Sequence, residues 1–229
     1  MFTSEQVLAE LQARANLDQL GGMARHGMSV ERRLGVKVPE LRKLARRLGK
    51  DHRLALALWD SGIDDARILA SMVDEPDRLD EAQMDAWVGD FNSWDVCDQV
   101  CMNLFENSPL AWSKIREWAR RDEEYVKRAA FALIACLAWH DRQARDEQFA
   151  ELLPVIEAGA TDERNYVKKA VSWALRNVGK RNPALHAIAL GAAEQIGQFE
   201  SRAARWIARD VMRDLNSDAT RRRLAKMQG

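Results

Sequence analysis

The sequence is short of turn-forming residues and of the side chains that covalent or metal frameworks need. Its 229 residues include only 12 glycines, 5 prolines, 3 cysteines and 4 histidines. So little Gly and Pro, with alternating β-branched runs nearly absent, argues against an all-β chain. Cys97, Cys101 and Cys136 are an odd number, and no histidine lies at zinc-ligand spacing from them. They read as reduced thiols, so no disulfide framework, metal site or cofactor is expected. No apolar run approaches the roughly 20 residues that cross a bilayer, and Met1 to Glu10 lacks the basic-then-apolar order of a signal peptide. The expectation is a cytoplasmic protein without a membrane partner. Net charge is also missing: 35 basic residues balance 35 acidic ones, which taken alone argues against nucleic acid.

What is present is helix-forming. Ala, Leu, Arg, Glu and Asp dominate, and Pro39 followed by Leu41, Leu44 and Leu48 reads as a helix's first turn and apolar stripe. The prolines at 39, 76, 109, 154 and 183 are 29 to 45 residues apart, which suits one helix pair per interval. The run from Asp122 through Tyr125-Val126-Lys127-Arg128-Ala129 matches the run from Glu163 through Tyr166-Val167-Lys168-Lys169-Ala170, with the tyrosines 41 residues apart. This is an internal repeat. The register extends more weakly to Asp64–Leu69, Asn92–Asp98 and Glu200–Trp206. In each, an acidic or small polar residue stands where it can cap a helix and oppose its dipole. The reading is an all-α superhelical solenoid of HEAT-like or armadillo-like helical hairpins. It forms a single domain over 1–229, with 217–229 a candidate loose C-terminal tail. A compact helical bundle is the alternative.

Zero net charge conceals an uneven distribution. Residues 25–53 carry ten Lys/Arg against three Asp/Glu, 54–108 two against thirteen, 161–181 six against two, and 201–229 eight against three. If the inner helices present their N-termini on one face, then Arg67, Lys127, Arg128, Lys168, Lys169, Arg202 and Arg205 line it. The helix-end amides would add to a surface suited to phosphates. The other reading is a set of solvated helix faces with local ion pairs.

Eight of the sixteen aromatics are tryptophan, and most fit as core. Trp94 and Asp98 lie one helical turn apart on one face, and a carboxylate beside an indole is costly to bury unless something uses it. Lys169, Trp173 and Arg176 repeat the spacing with cations, and Arg128 occupies the corresponding turn between them. Such a set could stack on a ring or sugar, hold the adjoining phosphate and oppose a developing positive charge, as cleavage of a glycosidic bond requires. Against this stands a structural network in which Asp98 pairs with Arg128 or Lys169 and the indoles are wedges. Cys97 and Cys101 flank Asp98, but no histidine is placed to activate either thiol.

At these residues the chain resembles the AlkD-type DNA alkylation repair family, HEAT-like-repeat glycosylases that remove positively charged N3- and N7-alkylated purines. The likeness runs from about Met23 to Arg213. It rests on Leu34-Gly35-Val36-Lys37-Val38-Pro39-Glu40-Leu41-Arg42, Ser93-Trp94-Asp95-Val96-Cys97-Asp98, Tyr125–Ala130 and Val167–Arg176. The resemblance implies that Asp98 is the catalytic acidic residue, that Trp94 and Trp173 are cleft aromatics acting with it, and that Arg128 contacts the DNA backbone. Three departures are visible. The family's well-studied members have a tyrosine in the region of Met23 to His26, a Trp-Trp pair where this chain has Ser93-Trp94, and a distinctly basic balance where this chain is neutral. The implied activity is hydrolysis of the N-glycosidic bond of 3-methyladenine or 7-methylguanine in duplex DNA by a monomer. The alternative is a non-catalytic HEAT-repeat protein that binds damaged or branched DNA, or a protein partner.

Overall fold

The computed structural model describes residues 2–227, which fall into two compact units, Met1–Ala111 and Trp112–Gly229. All regular structure among the described residues is helical. The first unit holds α1 (Ser4–Ala13), α2 (Leu20–Arg25), α3 (Val38–Leu48), α4 (His52–Asp60), α5 (Asp64–Val73), α6 (Glu81–Gly89) and α7 (Trp94–Asn103). Helix α8 (Ala111–Trp118) opens at the boundary. The second unit continues with α9 (Glu124–His140), α10 (Asp146–Ala150), α11 (Leu153–Gly159), α12 (Asn165–Gly179), α13 (Pro183–Gly197), α14 (Arg202–Leu215) and α15 (Asp218–Ala225).

Prolines open elements, as their spacing suggests. Pro39, Pro154 and Pro183 sit in the first turns of α3, α11 and α13, and Pro76 starts a 3-10 turn. There the missing N–H costs nothing and the fixed φ suits the helix. In α3 the leucines at 41 and 44 are buried as the stripe requires. The five segments expected to begin alike start α5, α7, α9, α12 and α14. In the first unit α5 packs between α3 and α7; in the second, α12 packs between α9 and α14. These are stacked HEAT-like hairpins, each inner helix burying its apolar side against the next. Helix α9 is buried along nearly its whole length, from Val126 to Ala138.

Capping departs from expectation. Of the five inner helices only α14 is capped by its own N-cap residue, Ser201. The acids serve the neighbouring repeat instead. Glu124 Oε1 accepts from the Tyr166 amide at 3.4 Å, and Glu163 Oε1 accepts from the Arg202 and Ala203 amides at 3.0 and 3.1 Å. Stacking brings each carboxylate closer to the next helix's unsatisfied amides than to its own. The stretch expected as a loose tail is helical over 218–225, capped by Ser217 and anchored by buried Thr220 and Leu224; residues 228 and 229 lie outside the described residues.

Trp59, Trp87 and Trp118 are core, the first two stacked at 3.9 Å. The three cysteines are buried thiols. Among the described residues no helix is long and apolar enough to cross a membrane.

Candidate functional site

Helix α7 buries Val96, Cys97, Val100 and Cys101 and leaves Trp94 and Asp98 half-buried, one turn apart at its N-terminal end. Cys101, a further turn along α7, belongs to the core, whereas the indole and the carboxylate reach its edge. Trp94 is held by more than packing, for its Nε1 donates to the carbonyl oxygen of His26 at 3.1 Å.

That carbonyl begins a non-helical strap, residues 26–37, fixed by a polar network that sequence reasoning missed. Arg33, buried to 7 % exposure, donates to Asp95 at 2.5 and 3.2 Å and to Asp64 at 3.3 Å. Asp65 accepts from the Leu34 and Val36 amides at 2.7 and 2.8 Å, and Ser93 Oγ accepts from the Ser29 amide at 3.1 Å. Ser93 also donates to Asp95, and Asn92 to Asp64. Burial pushes the Asp64 carboxyl up, and Asp95 adds to this, against the pull of Arg33 and Asn92. For Arg33 burial acts to lower the guanidinium, but Asp95, Asp64 and Asp65 outweigh it and hold it above its ordinary value. These partners are 31 and 62 residues from Arg33, and no local spacing marks them. The acids that looked like caps for α5 and α7 instead clasp the strap, placing the His26 carbonyl under Trp94.

Arg67 also lies in the first unit, and the structure gives it an internal partner. It bonds the Asp90 carboxylate and carbonyl, both at 3.0 Å, and its guanidinium packs 5.0 Å over Trp59, whose own N–H goes to Asp90. A phosphate would have to compete with Asp90 for it.

In the second unit the N-terminal ends of α9, α12 and α14 come together. Tyr125 and Tyr166 stack at 5.8 Å, and buried Arg128 donates to the Tyr166 carbonyl at 2.6 Å. Lys127 pairs with Asp162 at 3.6 Å, and Lys168 lies 5.1 Å over the Trp206 ring. For Asp162 burial opposes ionisation, but hydrogen bonds from Arg164 and the charge of Lys127 prevail and hold its carboxyl below the usual range. Lys169, Arg202 and Arg205 are exposed at this end. One turn beyond Lys169 stands half-buried Trp173, followed by Arg176, which is 3.6 Å from Asp210. The Arg202 and Ala203 amides of α14 are already occupied by Glu163 and are not open to another acceptor.

Trp94 and Asp98 are thus grouped in the first unit; Lys127, Arg128, Lys168, Lys169, Trp173, Arg176, Arg202 and Arg205 are grouped in the second. The charge divides the same way, with 13 Lys/Arg against 19 Asp/Glu in 1–111 and 22 against 16 in 112–229. Among the described residues no cluster of three or more His, Cys, Asp or Glu is placed to hold a metal.

A family model described as DNA alkylation repair enzyme matches residues 7–215. The chain belongs to the DNA alkylation repair family. Among solved structures, this family member is similar to one described as a new family of proteins related to the HEAT-like repeat DNA glycosylases with affinity for branched DNA structures. The two share 18% identity over 93% of this chain and 95% of that one, with a TM-score of 0.77. At that identity the likeness establishes the HEAT-like fold. A designed armadillo repeat protein in complex with peptide (KR)4 aligns at 17% identity over 82% of this chain and 80% of its own, with a TM-score of 0.37. No curated protein matches.

Proposed function

We propose that this member of the DNA alkylation repair family is a glycosylase that hydrolyses the N-glycosidic bond of positively charged alkylated purines in duplex DNA, acting as a cytoplasmic monomer. The observation that carries the reading is the Trp94–Asp98 pair: a carboxylate and an anchored indole one turn apart at the edge of α7.

An N3- or N7-alkylated purine already carries positive charge and leaves without being protonated, so one carboxylate suffices. As the C1′–N bond lengthens, the deoxyribose gains oxocarbenium character. Asp98 stabilises that charge and orients the attacking water, while Trp94 and Trp173 contact the sugar and backbone. The cations at the N-terminal ends of α9, α12 and α14 supply sequence-independent attraction to the phosphates.

Release of 7-methylguanine and 3-methyladenine from methylated duplex by the wild-type protein and by Asp98→Asn tests this. The expected result is free base from the wild type and a loss of about a hundredfold or more in the variant, with duplex affinity retained. Equal release by both proteins overturns the role of Asp98.

A second reading is supported by the fold-level likeness to a protein whose description is affinity for branched DNA. In it the family fold serves as a non-catalytic binder of damaged or branched DNA. Tight junction binding with no base released by the wild type would favour it.

A further inference from the structure

The second unit has two cationic ends. Helices α9, α12 and α14 run parallel. Tyr125 stacks on Tyr166 at one end, and at the other Asn177 and Arg181 donate to the carbonyls of Ala135 and Ala138. Along α12 and α14, Arg176 pairs with Asp210 and Lys180 with Asp214. From Lys127 to Trp139 along α9 is about 18 Å at 1.5 Å per residue, so the two ends are distinct surfaces.

At the far end the carbonyl termini of the helices ought to be electronegative. Basic side chains reverse this. Arg181 bonds the Ala138 and Ala144 carbonyls and packs 4.7 Å over Phe149, and Arg223 bonds the Lys180 carbonyl and packs 4.2 Å over Trp139. Those cations answer the helix ends. Arg222 and Lys226, in the last turn and at the C-cap of α15, are both exposed, and with Arg223, Ala219 and Met227 they line an open cleft of about 550 Å³. Beside Arg223 stands Trp139, a large indole 46 % exposed. Residues 217–227 carry four cations against one carboxylate, Asp218.

We infer that this end, formed by α15 and Trp139, is a second DNA-backbone surface, which holds a different segment of nucleic acid from the one met by the N-terminal ends of α9, α12 and α14. Arg222 and Lys226 contact phosphates, and the Trp139 ring, stiffened by Arg223, supports the adjoining sugar or an unpaired base. The two surfaces lie at opposite ends of the same parallel helices and so face apart, a placement that two arms of a branched molecule can meet and one straight duplex cannot. The positive charge calls for an anionic occupant, and membership of a DNA-acting family together with an exposed ring able to stack on a base favours DNA over an acidic protein. The inference rests on membership of a DNA-acting family and not on the glycosylase reading.

Full-length wild type and Arg222→Ser/Lys226→Ser, both on exposed positions, are titrated against a four-way DNA junction and a linear duplex of equal length at several salt concentrations, with circular dichroism to verify folding. The expected result is that the junction loses about tenfold in affinity and its log–log salt slope falls by about 2, as for two lost phosphate contacts, while the duplex changes less than twofold. Trp139→Ala should weaken the junction without changing the salt slope. Equal losses on both DNAs, or no loss on either, overturns the inference. So does competition by polyglutamate as effective as that by oligonucleotide at equal charge. Base release from linear alkylated duplex should be the same in the double variant and the wild type. Failure of the glycosylase reading would show as absent base release with the junction effect intact, and failure of this inference as the reverse.

Discussion

The Nε1 of Trp94 donates to the backbone carbonyl of His26 at 3.1 Å, a bond that spans 68 residues. It ties the candidate site on α7 to the strap that α5 and α7 hold in place. Trp94→Phe keeps a ring and removes the donor. The expected cost in stability is about 1 kcal/mol, typical of one hydrogen bond, with faster amide exchange in residues 26–30. If urea unfolding and exchange are both unchanged, the bond does not hold the strap.

Arg33 is the hub of that strap, with its side chain 3% exposed and Asp64 at 0%. Removing one partner of such a pair leaves a buried charge uncompensated, so Arg33→Met should destabilise the protein by roughly 3–5 kcal/mol. Equilibrium urea denaturation measures this. A loss under about 1 kcal/mol would mean that water reaches Asp64 and Asp95 once the arginine is gone.

Much of this architecture was legible in the sequence. The Tyr125/Tyr166 repeat, its register extended to three further segments, located all five inner helices, because a solenoid repeats its local packing problem and therefore its local pattern; the prolines marked the starts of other elements. The one-turn spacing of Trp94 and Asp98 was equally readable, since helical periodicity fixes which residues share a face. What sequence could not reveal depends on contacts between distant segments. Asp64, Asp65 and Asp95 carry the same local signature as capping acids, yet they are spent on Arg33 and the strap amides. Glu124 and Glu163 cap the following helix rather than their own. Arg67 looked like one more surface cation until Asp90, 23 residues away, claimed it.

Gly35 is a position where only glycine fits. Its φ is +76°, and an added Cβ would lie 2.3 Å from the Asn16 carbonyl oxygen, the stretch where the Asn16 amide also donates to the Leu34 carbonyl. Gly35→Ala combines a left-handed backbone cost with a clash against main chain, so a loss of about 2 kcal/mol or more is expected. Thermal melting would detect it. A variant as stable as the wild type would mean that the segment around Asn16 shifts to make room.

Exposed Lys169 and Arg205 stand at the shared N-terminal end of α12 and α14. If this end meets the phosphates, Lys169→Ala/Arg205→Ala should weaken binding to linear duplexes of any sequence and lower the salt slope by about 2. Affinity measured between low and moderate salt separates this from a loss of folding, which would not change the slope in proportion to the charges removed. An unchanged slope would place the duplex elsewhere.

Glu163 offers a pH test with a definite sign. Its carboxyl is held below the ordinary range by the Ala203 amide first, then by the Ser201 hydroxyl and the Arg202 amide. A carboxyl whose folded value is depressed contributes stability above its unfolded value, about 4.3, and loses it as the pH falls through the folded value. Glu163→Gln keeps an acceptor but removes the charge that opposes the α14 dipole. The melting temperature of the wild type should therefore exceed that of the variant by a constant amount from pH 7 to about pH 5, and the gap should close below about pH 4. A gap of the same size at pH 3 and pH 7 would mean that the side chain acts on α14 through its shape and not its charge.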